Sequence, residues 1–106
     1  MTNNELLIES EIKEKGLTAP RLCPKCIDSV IVGEDYYVFP GTSLTICCLK
    51  LKNGFTVTGE SSSVSLENFN KELGEKIAMI DARKKIWQLE GYLLKEKIFN
   101  ANKTSN

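Results

Sequence analysis

The stretch LTICCLKLKNGFTVTGES, residues 44–61, decides the fold. Two β-rich runs flank Asn53-Gly54, a dipeptide suited to the two positive-φ positions of a type I′ turn, so the segment reads as a hairpin with a two-residue loop. That loop pairs Lys52 with Phe55, Lys50 with Val57 and Cys48 with Gly59. It sets Leu44, Ile46, Cys48, Phe55 and Val57 on one face, and Cys47, Leu49, Leu51, Thr56 and Thr58 on the other. Neither face is purely polar, and such a sheet needs two covers: a helix beneath, and another subunit or a ligand above.

Before the hairpin, Tyr36-Tyr37-Val38-Phe39 is β-rich and closed by Pro40-Gly41, which predicts a first strand and a three-stranded antiparallel meander. After it, Ser61 to Ser63 read as a solvated loop whose amides and hydroxyls could also meet phosphate. From Asn68 to about Phe99 the period changes. Phe69, Leu73, Ile77, Ile80 and Trp87 form one helical stripe that Leu94 and Ile98 continue, with Ser65 and Asn68 available as caps. This long C-terminal helix is expected to lay its stripe on the sheet. Lys84 and Gly91 interrupt the stripe, so a bend or a break into two pieces is expected near Gln88 to Gly91.

Upstream, Thr2-x-x-Glu5 offers a capping box for a short helix that Gly16 would stop; residues 1–17 read as a narrow-striped arm, mobile unless docked. Thr18-Ala19-Pro20 is an extended link, and Cys23-Pro24 opens a second short helix carrying Ile27, Val30 and Ile31 and ended by Gly33. Residues 100–106 read as a polar, disordered tail. The fold class is α+β: a three-stranded meander packed on a long helix, with short N-terminal helices, in one domain over residues 1–106.

A chain of 106 residues can build one modest core, and 14 basic against 14 acidic residues give no overall field to attract nucleic acid or a membrane. The longest strongly apolar run, Ile46 to Leu49, is too short to span a bilayer, and Met1 to Gly16 lacks a signal-peptide pattern, so a cytoplasmic location is expected. Cys23-Pro24-Lys25-Cys26 has a zinc-knuckle gap, but Cys47 and Cys48 are adjacent in a strand, point to opposite faces, and have no histidine to complete a site. The better reading puts Cys26 on the short helix and treats Cys47 and Cys48 as small buried residues in a reducing compartment. A redox CxxC would want a βαβ context that nothing before Cys23 supplies. No metal and no cofactor is expected. Without histidine, and with Glu60, Asp81 and Glu90 forming no recognisable pair, catalysis is unsupported.

Five blocks taken in order, KGLTAPR (15–21), NGFTVTGES (53–61), ENFNKELGEKIA (67–78), Ala82-Arg83 and KIWQLEGYLL (85–94), resemble a family of small tailed-bacteriophage proteins named after two phage genes. The resemblance covers about residues 11–95 and extends to the Thoeris anti-defence proteins of the first type. Cys23 departs from the polar helix cap expected there, and Gln88 stands where proline is common; the latter favours a continuous helix. The resemblance implies a homo-oligomer, a dimer at the minimum with a hexamer of three dimers as the alternative, that sequesters cyclic nucleotide signals without cleaving them. Cyclic ADP-ribose isomers made by TIR-domain enzymes are the implied ligands, with cyclic oligonucleotides as further ones. It also implies roles for Phe55 as an aromatic platform, Asn68 as a polar clamp and Arg83 as a phosphate-binding cation.

Those residue types suit such a ligand, which presents a purine face, ribose hydroxyls and a pyrophosphate. Each has a plainer alternative: Phe55 as core, and Arg83, at the head of Arg83-Lys84-Lys85, as part of a solvated helix face. Asn68 and Arg83 lie about 22 Å apart on a straight helix, so a site shared between subunits is expected. The alternative function is a protein-interaction module that inhibits a host protein. A nucleic-acid binder is the weakest reading, because the chain is neutral and Phe55 has no aromatic neighbour on its strand.

Overall fold

A computed structural model describes residues 3–17 and 19–104. The chain divides into two units, residues 30–86 and the flanking segments 1–29 with 87–106.

In residues 30–86 the expected meander is present: β1 (Ile31–Val38), β2 (Thr45–Leu51) and β3 (Thr56–Ser61) form one antiparallel sheet in the order β1-β2-β3. β1 is longer than the Tyr36–Phe39 run. Gly33, read as a helix stop, lies inside it, beside an irregularity in which Ile31 pairs with Leu51 and Gly33 with Lys50, leaving Val32 as the extra residue.

The hairpin forms, but one residue out of the expected register. Leu49 pairs with Val57, Cys48 with Thr58 and Cys47 with Gly59. Gly54 N–H donates to Leu51 O at 2.9 Å and Leu51 N–H to Phe55 O at 2.8 Å, so the loop holds three residues, Lys52 to Gly54. Only Gly54 has positive φ, 89°, and Asn53 does not. A turn of this kind needs one left-handed residue where type I′ needs two, and Asn53 Oδ1 secures it by accepting the Phe55 N–H at 3.0 Å. Because strand side chains alternate, the slip moves Val57 to the face of Cys47, Leu49 and Leu51, where all four are buried. The expected faces are therefore corrected. The opposite face of the hairpin keeps only Ile46 and Cys48 as apolar strand residues, both half-buried, beside a Lys50–Asp35 ion pair of 3.0 Å.

A 3₁₀ turn, Leu66–Asn68, capped by Ser65 Oγ, leads into one unbroken helix, α3 (Lys71–Thr104). Asn70 caps α3, its Oδ1 accepting the Leu73 N–H at 2.9 Å. The break expected at Gln88 to Gly91 is absent: there is no proline, and one glycine costs only about 1 kcal/mol in a helix.

The stripe laid toward the sheet also differs from the expected one. Gly74, Ala78, Ala82 and Ile86, four residues apart, are buried, with Arg83 beside them. Leu73, Ile77 and Ile80 are 55%, 46% and 41% exposed. Small side chains won because Gly59 of β3 brings the two backbones together: a Cβ there would collide with Ala82 N and Ala78 O and lie 2.8 Å from Ala82 Cα. A second tie follows, from Glu60 N–H to Asp81 Oδ2 at 3.0 Å.

In the other unit, α1 (Asn3–Glu14) buries no residue and exposes Leu6, Leu7 and Ile8. It ends as the sequence predicts, with Gly16 N–H donating to Lys13 O and Leu17 N–H to Ile12 O. Thr2 of the expected capping box and Thr18 of the link lie outside the described residues. Arg21 grips Glu9 with two nitrogens at 2.6 and 3.1 Å, which holds the Glu9 carboxyl below its ordinary range. α2 (Pro24–Val30) buries Pro24 and Ile27. α3 runs to Thr104, so most of the segment read as a tail is helical, with 105–106 outside the described residues. Among the described residues no helix is long and apolar enough to cross a membrane.

Candidate functional site

The serine run leaves β3, turns through the 3₁₀ segment and enters α3, and this path encloses a cleft of about 170 Å³ within residues 30–86. One wall carries Ser43 and Ser61 to Ser63. The other carries Asn68, Phe69 and Asn70, and Leu73, Gly74 and Ile77 complete the lining.

The serines build the wall by bonding to one another and to the helix. Ser43 Oγ donates to Ser63 O at 2.9 Å and accepts the Ser63 N–H at 3.0 Å, a reciprocal pair that fixes two segments twenty residues apart. Ser63 Oγ donates to Ser65 O at 2.8 Å, and Ser61 Oγ donates to Gly74 O at 2.8 Å. These hydroxyls have spent their protons but can still accept. Among the described residues, the side chains of Ser62 and Asn68 make no hydrogen bond, so they retain donors for a ligand. Asn70 has used its carbonyl oxygen as the α3 cap and keeps its amide protons. No lining residue is charged. The cleft therefore suits hydroxyl and carbonyl groups beside a flat apolar surface, and a phosphate in it would need a cation from elsewhere.

Of the three residues expected to bind ligand, only Asn68 lines this cleft. Phe55 follows the hairpin loop and is 55% exposed, so it is not core. Arg83 is 4% exposed and engaged within the fold, which contradicts the solvated-face reading and leaves it outside the cleft lining. Sequence reasoning noted the serine run but missed Ser43, Phe69 and Asn70 as its companions. Nothing in the order of residues pairs Ser43 with Ser63, since the meander alone brings them together.

Elsewhere in the sheet, Cys47 faces Tyr36 across β1 and β2. Burial pushes the Cys47 thiol up to about 11 and raises the Tyr36 phenol as well, so at neutral pH Cys47 is protonated and not a nucleophile.

No curated protein and no solved structure matches the chain at a significant level. The family model described as Phage protein (N4 Gp49/phage Sf6 gene 66) matches residues 22–98, a span holding the whole sheet, the cleft and most of α3. The chain belongs to this family of phage proteins.

Proposed function

We propose that this phage protein binds and sequesters a cyclic nucleotide immune signal, of the cyclic ADP-ribose type or a cyclic oligonucleotide, without cleaving it. The observation that carries the reading is the uncharged cleft in which Ser62, Asn68 and Asn70 keep hydrogen-bonding capacity beside Phe69, a match for ribose hydroxyls and a base edge. Its 170 Å³ falls below the ~300 Å³ at which small-molecule pockets begin, so one protomer holds only part of such a ligand. A second copy supplies the rest, including the cation for the phosphates. Phe55, exposed at the hairpin loop, is free to serve a neighbouring copy's site, whereas Arg83 is packed within its own protomer.

Self-association has a surface. Leu73, Ile77 and Ile80 follow the four-and-three spacing of a helix-pairing seam, and Leu73 and Ile77 also line the cleft. Lys76 and Asp81 flank the seam five residues apart, the separation at which a parallel pair of helices brings opposite charges together. A dimer on this seam places a partner at the cleft mouth. The same exposed apolar residues favour, as a second reading, a module that docks on a host protein.

Calorimetry with a panel of cyclic ADP-ribose isomers and cyclic oligonucleotides tests the proposal. Sequestration of micromolar signal requires a Kd near nanomolar, about −12 kcal/mol. Asn68→Ala should weaken binding about tenfold or more, and the ligand released by heating should be intact by mass spectrometry. No heat with any member of the panel leaves the host-protein reading.

A further inference from the structure

The pair Cys23 and Cys26 lies outside the cleft and has no part in the function proposed above. The sequence offers no βαβ context for a redox CxxC and assigns Cys26 to a helix, yet the fold joins Cys23 and Cys26 in a disulfide, with Cα atoms 5.0 Å apart, well inside the range that a disulfide spans. The local backbone prepares that closure. Cys23 O accepts the N–H groups of Cys26 at 2.9 Å and Ile27 at 3.2 Å, and the buried Pro24 opens α2 directly after Cys23. The Cys26 N–H also points at Cys23 Sγ, at 3.2 Å. Both cysteines are half-buried, not sealed as Cys47 is, and Lys25 between them is exposed.

We propose that Cys23 and Cys26 form a reversible dithiol–disulfide exchange site for small disulfides of the glutathione class, with Cys23 as the attacking sulfur and Cys26 as the resolving one. The backbone amide at Cys23 Sγ stabilises its thiolate over that of Cys26, which has no such donor among the described residues. In the first step the Cys23 thiolate attacks one sulfur of the small disulfide, a new S–S bond forms, and one small thiolate leaves. In the second, Cys26, having lost its proton, attacks Cys23 Sγ; the Cys23–Cys26 bond closes and the second small thiolate departs. The protein dithiol loses two electrons, the small disulfide gains them, and the two cysteine protons end on the two released thiols. The Cα separation permits ring closure without refolding, which makes the second step intramolecular and fast.

The test uses the full chain in buffers spanning reduced to oxidised glutathione, quenched with acid, alkylated and read by peptide mass spectrometry. The peptide holding Cys23 and Cys26 should pass from doubly alkylated to disulfide within the series. A peptide that stays doubly alkylated in the most oxidised buffer, or stays disulfide in the most reduced one, overturns reversible exchange. For the assigned order, Cys26→Ser should accumulate a glutathione adduct on Cys23 about tenfold faster than Cys23→Ser does on Cys26. Equal rates, or a faster adduct on Cys26, overturn the role given to Cys23. The redox titration of the unaltered chain stands even where a serine variant fails to fold.

Discussion

Gly59 of β3 lies against the backbone of Ala82 in α3, close enough that no side-chain carbon fits between them. Gly59→Ala should therefore cost about 3 kcal/mol or more, the upper end of overpacking, because the atoms it meets are backbone and cannot swing aside. Gly33→Ala is the contrast: its Cβ would meet the flexible Lys50 side chain at 3.3 Å, and the cost should stay below about 1 kcal/mol. Urea unfolding of both variants checks the difference, and similar midpoints would refute the close contact.

Arg83 offers a second stability test. A solvated cation could be removed at little cost, but Arg83 is 4% exposed and engaged by its surroundings. Arg83→Ala should destabilise by on the order of 2–4 kcal/mol. Denaturation in the absence of any ligand measures this, and an unchanged midpoint would return Arg83 to the surface.

The outer seam of α3 predicts assembly. Ile77→Glu puts a charge in the middle of the seam, and Lys76→Glu sets like charges opposite the partner's Asp81. Light scattering should find the parent at a multiple of 11.9 kDa and Ile77→Glu at the monomer mass, with helix content retained. Lys76→Glu should weaken assembly by a smaller factor, one that salt reduces. A monomeric parent at micromolar concentration removes the shared site.

Thiol labelling should separate Cys47 from Cys48, its neighbour in sequence. Cys47 is fully buried and its thiol is pushed up to about 11, so alkylation in the folded state should be at least about a hundredfold slower than at the half-buried Cys48. Raising the pH from 7 to 9 should leave the Cys47 rate slow, since its thiolate is still scarce two units below that value. Equal labelling of the two would mean that β2 opens or faces the other way.

The register of the hairpin is where sequence and structure part. Asn53-Gly54 located the turn, since few dipeptides tolerate left-handed backbone, and the β-rich runs on either side located the strands. The two-residue loop expected from that dipeptide gives way to one of three residues. Only burial of Val57 with Leu49 and Leu51 separates the two registers, and that burial is a property of the assembled sheet.

α3 repeats the lesson. Its place after the serine run and its 3.6-residue period could be read directly, because periodicity is local, although its unbroken run to Thr104 passes the expected end near Phe99. Which stripe meets the sheet could not, since the rule that the largest apolar residues go inside fails when two backbones touch. Gly59 has no side chain, and it selects Ala78 and Ala82 as partners while Leu73, Ile77 and Ile80 are left outside. The cleft depends on the same tertiary choice. Asn68 and the serine run were visible as polar residues near a helix start. Ser43 joins them only because the meander brings residues 43 and 63 within hydrogen-bond reach, and Arg83 leaves the surface only because the helix packs as it does. The sequence by itself determined the main elements, their order and the place of the turn, which are set by local backbone preference. The tertiary structure alone decided the faces, because a face is defined by what it packs against.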